Sequence, residues 1–173
     1  MIIPKYTYNH LTPDKNYHYV FPIGLGYMGA MLKKEGYNLD YLNLNHLDGS
    51  IENIINKKLD SERYDFILFG HMAFGYEIVE KIINIVKNHH SKPIVILGGP
   101  IITSEPKLMT QNLNFDIGVI GEGELTILEL MKALIKKKSL KNIKGICYRD
   151  KQGNIQINEI RKSIENLDKI PFP

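Results

Sequence analysis

At 173 residues, with 22 basic against 19 acidic side chains and a formal net charge of +3, the chain has the length of one ordinary domain whose core needs no covalent staples. Its one cysteine, Cys147, excludes an internal disulfide framework, an iron–sulfur cluster and a cysteine-rich zinc site held by this chain alone, and a reducing, cytoplasmic setting is expected. No apolar run is long enough to span a bilayer, the amino terminus lacks a signal-peptide layout, and the small, spread charge excess favours neither a nucleic acid nor a membrane as partner.

Residues 1–3 read as the end of a first strand, cut off by Pro4. The loop that follows is rich in rings: Tyr6, Tyr8, His10, Tyr17, His18, Tyr19 and Phe21. A loop of that length inside a domain is usually functional, or else a lid packed on its own side chains. Residues 23–35 carry Leu25, Met28 and Leu32 at helical spacing, with Gly36 as the C-cap. Residues 39–44 predict a second strand, and Ser50 caps a helix bearing Ile51, Ile54, Ile55 and Leu59. The third strand, residues 65–70, ends at Gly70 and opens onto His71, Met72, Ala73, Phe74 and Gly75. Ile78, Val79, Ile82, Ile83 and Val86 define the next amphipathic helix, which ends near His89 and His90.

Residues 94–97 then form a short β-branched run without alternation, the pattern of a strand covered on both faces. It stops at Gly98, Gly99 and Pro100, followed by Ile101. The glycine pair removes two side chains at the carboxyl end of a strand, where open α/β sheets bind ligands; its other use is a tight strand-to-loop turn. Thr103 or Ser104 is expected to cap a short helix that takes Pro106 in its first turn. Residues 115–120 predict a fifth strand, which runs into Gly121, Glu122, Gly123 and Glu124 and then a helix with Ile127, Leu128, Met131, Leu134 and Ile135 on one face. Lys136, Lys137 and Lys138 suit the solvated end of that helix, where its dipole favours cations. Residues 145–149 and 154–158 predict a hairpin, and residues 163–173 an irregular linker ending in Pro171, Phe172 and Pro173.

Strict β–α alternation implies a doubly wound, parallel five-stranded sheet with helices on both faces, flavodoxin-like or Rossmann-like in strand order, with a C-terminal hairpin and linker. The expected divisions are an α/β domain over residues 1–143, a hairpin extension of it over 144–162, and a linker over 163–173.

Several chemistries are tested by what stands at the strand ends. Gly24, Gly26 and Gly29 spell the G-x-G-x-x-G of dinucleotide sites, but Pro22 and a ring-rich loop stand where the preceding strand belongs. Close packing is the other use of those glycines. A phosphate-accepting receiver needs an aspartate where Gly70 stands, and a flavodoxin needs a hydroxyl-rich loop after the first strand; neither is present. No His-x-x-x-His pair occurs, Cys147 lies in the hairpin, and Glu122 and Glu124 suit capping or acceptance of hydrogen bonds from a ligand.

Four stretches taken in order resemble the cobalamin-binding domain at the amino end of radical S-adenosylmethionine enzymes. They are Phe21-Pro22-Ile23-Gly24-Leu25 with the helix ending Lys34-Glu35-Gly36-Tyr37, then Leu97-Gly98-Gly99-Pro100, then Gly121-Glu122-Gly123-Glu124, and finally Leu167-Asp168-Lys169-Ile170-Pro171-Phe172-Pro173. The resemblance implies that cobalamin is the cofactor and that the corrin lies over the strand ends. The loop from Gly70 to Phe74 would touch ring and tail, Gly98 and Gly99 would let the tail pass, Gly121 to Glu124 would border it, and Tyr6 would cover one face. It further implies that the linker leads to a separate radical S-adenosylmethionine domain, which binds that cofactor and a four-iron four-sulfur cluster, so that this chain alone is not catalytic. His46-Leu47-Asp48-Gly49 keeps only part of the cobalt-ligating Asp-x-His-x-x-Gly motif and follows the second strand, so the resemblance implies no protein ligand to cobalt, with His71 the alternative.

Overall fold

A computed structural model describes residues 1–5 and 21–173; Tyr6 and most of the ring-rich loop lie outside the described residues. Strands β1 (Ile2–Ile3) and β2 (Leu42–Asn43) pair in parallel. Strands β3 (Phe66–Gly70), β4 (Ile94–Gly98) and β5 (Ile117–Val119) form a second parallel set, in which Gly70 stands opposite Gly98. β1 lies against β3.

Helices cover both faces, and the period-two alternation of β3 and β4 decides what each face holds. Ile67, Phe69, Val95 and Leu97 enter one core beneath α2 (Ile51–Ser61), α3 (Tyr76–Asn88), α4 (Pro100–Ser104) and α5 (Pro106–Asn112). Leu68 and Ile96 enter a second core with residues of α1 (Ile23–Lys34) and α6 (Glu124–Ile135). The chain is thus an α/β protein with a mostly parallel central sheet, as its alternating pattern predicts.

Particulars differ from expectation. The sheet is not five parallel strands in one hydrogen-bonded set: β6 (Ile146–Arg149) and β7 (Ile155–Ile157) continue it antiparallel from β5, in the order β3-β4-β5-β6-β7. The hairpin is therefore part of the main sheet. Arg149 anchors it by donating to the Thr110 and Gln111 carbonyls at the end of α5. The second strand is only two residues long, because the Asn43 side chain accepts the Asn45 N–H at 3.0 Å and starts a turn, while Asn45 Nδ2 donates to the Pro4 carbonyl at 2.8 Å. The fifth strand starts two residues late, since the Asp116 carboxylate takes the Val95 N–H at 2.7 Å and the Lys87 ammonium at 2.7 and 2.9 Å.

Helix ends follow local chemistry. Ser50 Oγ accepts the Asn53 N–H at 3.1 Å, the expected N-cap of α2. Neither Thr103 nor Ser104 caps a helix; Pro100 itself starts α4 as its first residue. The C-terminal segment makes one turn at Leu167–Lys169 and lies along α1, with Phe172 edge-on to Tyr27 at 6.4 Å.

Candidate functional site

Three strand ends, the start of α1 and the start of α6 enclose a cleft of about 290 Å³. It is the upper, open end of the second core. Leu68, Ile96, Val119 and Ile127 belong to that core and also form the floor and walls of the cleft, with Leu25 and Met28 of α1 opposite. The apolar pattern of each strand and helix is therefore what builds it.

Glycines keep the mouth open by different means. A side chain at Gly70 would bring its Cβ to 2.8 Å from the Gly98 carbonyl oxygen, so β3 and β4 approach here as only glycine permits. At Gly98 a Cβ would meet nothing nearer than Val119 at 3.8 Å, so the space beside it belongs to the cleft and not to the packing of the chain. Gly99 has φ +83°, a left-handed conformation that side chains rarely adopt, and a Cβ there would sit 3.1 Å from the His71 carbonyl oxygen. This turn lets the Ile101 N–H reach the His71 carbonyl at 3.1 Å.

Polar groups are few. His71 is 4% exposed, its ring lies against Gly75, and it meets Phe74 edge-on at 5.5 Å. Burial lowers its pKa from the ordinary imidazole value, an effect opposed in part by its hydrogen bond to the Met72 carbonyl. The ring is thus neutral near pH 7; Nδ1–H donates to that carbonyl at 3.1 Å, which leaves Nε2 as the acceptor. Glu124 opens α6, and its Oε2 is buried with no hydrogen-bond partner among the described residues. Glu122 instead accepts the Ile164 N–H at 2.7 Å and fastens the C-terminal segment to the rim.

The sequence-predicted site residues divide accordingly. Gly24, Gly70, His71, Met72, Gly98, Gly99, Pro100, Gly121, Glu122, Gly123 and Glu124 line the cleft together. Ala73 and Phe74 lie in the 3₁₀ turn Ala73–Gly75, with Phe74 62% exposed, and Ile101 is buried in the first core. Two contributors escape sequence reasoning. Thr103 Oγ1 accepts the Gly121 N–H at 3.0 Å, tying the loop after β5 to α4. Met28 is the second: its sulfur would lie 2.7 Å from a Cβ at Gly123. The remaining glycines of the G-x-G-x-x-G pattern serve packing: a Cβ at Gly26 would stand 2.9 Å from Pro173, and one at Gly29 would overlap the Tyr41 hydroxyl.

This architecture has a family. Residues 14–131 match the model of the B12 binding domain, which covers more than half of the chain. The chain belongs to the B12 binding domain family. Among curated relatives of this B12 binding domain, an uncharacterized methyltransferase of Pyrococcus horikoshii is 32% identical over 160 residues, which take in 88% of this chain and 33% of that protein. The cytidylyl-2-hydroxyethylphosphonate methyltransferase of Streptomyces wedmorensis is 30% identical over 195 residues, covering 88% of the chain and 36% of the relative. The chain therefore spans about a third of the length of these relatives.

Solved structures share the fold. The radical S-adenosylmethionine methyltransferase TsrM from Kitasatospora setae, with cobalamin and an iron–sulfur cluster bound, superposes with a TM-score of 0.72 at 17% identity over 92% of this chain and 30% of its own. The cobalamin-dependent S-adenosylmethionine radical enzyme OxsB, with aqua-cobalamin bound, gives 0.69 at 22% identity over 87% of this chain and 21% of its own.

Proposed function

We propose that this B12 binding domain holds cobalamin with the base of its nucleotide tail in the cleft and the corrin lying across the strand ends, and that it serves as the amino-terminal module of a cobalamin-dependent radical S-adenosylmethionine enzyme. The cleft itself carries the reading. At about 290 Å³ it is at the small end of ligand pockets, which run roughly 300–1,000 Å³. Its apolar walls suit a flat aromatic base, and a corrin disc must rest outside it, on the ledge made by Gly70, Gly98 and Gly121. Glu124 Oε2, buried and lacking a partner among the described residues, would accept from a hydroxyl or amide of the tail. His71 would border the ring from below, and Met72 and Phe74, 45% and 62% exposed, would meet its underside.

Cobalamin supplies cobalt chemistry when bound; this chain's residues hold the tail, orient the disc and keep water from the base. The reactions named for the two relatives point to methyl transfer in the whole protein. The linker over residues 163–173 leads from residues 1–162 to the domain that binds S-adenosylmethionine and the four-iron four-sulfur cluster. Cys147 is buried in the hairpin and supplies no ligand to that cluster. No helix among the described residues is long and apolar enough to cross a membrane, and we place the enzyme in the cytoplasm.

The test is direct: the chain is mixed with hydroxocobalamin, desalted, and read for corrin absorbance. Co-elution of one corrin per chain is expected. A colourless protein peak, with the added cobalamin recovered in the salt fraction, overturns the reading for this chain.

A further inference from the structure

On the opposite face of the sheet from the cleft, α2 and α3 border a groove where three ligand-type side chains converge. Asp60 comes from the last turn of α2, His89 caps the end of α3, and His90 follows it. One donor atom from each lies within 4.8 Å of the other two. His89 Nε2 is 3.0 Å from Asp60 Oδ1, and His90 Nδ1 is 3.9 Å from the same oxygen. Two ligands at the ordinary zinc distance of about 2.0 Å in a tetrahedral array stand about 3.3 Å apart, so these separations bracket the edge a cation would impose. We propose that Asp60, His89 and His90 form a binding site for a zinc-class divalent cation, with water completing the coordination.

Two features support this. The first is the order already in the site: His89 is only 8% exposed, so its ring is held in place without a metal. The second is access and charge. The side chains of His90 and Asp60 are 79% and 60% exposed, which provides an entry path. The groove is lined by Glu52, Asp60, Glu77 and Glu80 against the single Lys81, so its field attracts cations. Two imidazoles and one carboxylate suit zinc and its borderline neighbours better than calcium or magnesium, which take oxygen ligands.

A cation here would clamp the end of α2 to the end of α3, on elements that the cofactor cleft does not use. The inference is thus independent of the cobalamin reading. Calorimetric titration of the 173-residue chain with zinc chloride in a non-coordinating buffer tests it. One zinc per chain is expected, with His90→Ala and Asp60→Asn each weakening binding at least ~10-fold and His46→Ala leaving it unchanged. Both ligand variants are at exposed positions, and their circular dichroism will show that the fold is kept. Cobalt(II) in place of zinc should give the visible absorption of a low-coordinate nitrogen and oxygen site, abolished in Asp60→Asn. Absence of saturable zinc uptake, or uptake undiminished in both ligand variants, overturns the proposal.

Discussion

Thr103 Oγ1 accepts the backbone N–H of Gly121 at 3.0 Å, so the helix that follows β4 and the loop that follows β5 are fastened to each other across the rim of the cleft. Removing the acceptor by Thr103→Val keeps the shape of the side chain and frees the loop. Gly121 is exposed, and water will satisfy its N–H, so the fold should lose no more than ~1 kcal/mol. If that energy orders the rim for the ligand, cobalamin will bind about fivefold more weakly, while the thermal midpoint falls by only about 2–4 °C. Equilibrium dialysis against hydroxocobalamin and a melting curve measure both.

Gly98 and Gly99 should respond in opposite ways to substitution. Gly98→Leu projects into free space, so the thermal midpoint should stay close to that of the parent while corrin binding falls at least ~10-fold, since burying even one such apolar side chain in the cleft displaces a ligand group worth more than 1.4 kcal/mol. Gly99→Ala forces a side chain into a positive-φ, extended backbone (φ 83°, ψ −175°), at a cost of about 1–3 kcal/mol. It should lower the midpoint by several degrees before any ligand is added. Equal destabilisation by the two would show that Gly98 is a packing glycine after all.

His71 makes a pH prediction. Its pKa is lower in the folded chain than in the unfolded one, with burial the main cause. Over the interval between the two values the unfolded state therefore binds more protons, and stability rises with pH. As pH falls from about 6.5, the ordinary histidine value, the chain should lose stability until the folded pKa is reached. Urea midpoints measured across that range should show the slope, and His71→Gln should flatten it. A slope unchanged in the variant would assign it to another group.

Asp116 joins β4, β5 and α3 through one carboxylate that receives the Val95 N–H and the Lys87 ammonium. Asp116→Ala leaves the strand N–H without its acceptor and should cost about 2 kcal/mol, in the range for hydrogen bonds to charged groups. Asp116→Asn retains an acceptor for Val95 and should recover part of that loss. Hydrogen exchange at the Val95 amide would show whether the strand end opens.

What the sequence made legible was local. Helices α2, α3 and α6 declare themselves through apolar spacing, and Gly70, Gly98 and Gly121 mark the strand ends because the absence of a side chain is written in the residue itself. The alternation of strands and helices then brings those ends together. Contacts between residues far apart in the chain left no such mark. Glu122 to Ile164 and Asp60 to His89 are 42 and 29 positions apart, and nothing in either neighbourhood predicts the partner. Thr103 stands just before a predicted helix, where hydroxyls commonly cap, but its oxygen accepts the Gly121 N–H instead. The second strand was overestimated because Asn43 can hydrogen-bond its own backbone, a competition that an apolar pattern does not register.

Because the cleft is the unfinished end of the α1 and α6 core, whatever fills it acts as a missing core side chain. Uptake of an aromatic base would fill the space above Leu68, Ile96 and Val119, which are already buried, and would take its own apolar faces out of water. Binding and folding then share one thermodynamic signature, a negative heat-capacity change from apolar burial. The ligand is in that sense a late part of the protein's own hydrophobic interior, and the occupied chain should be the more rigid and the harder to melt.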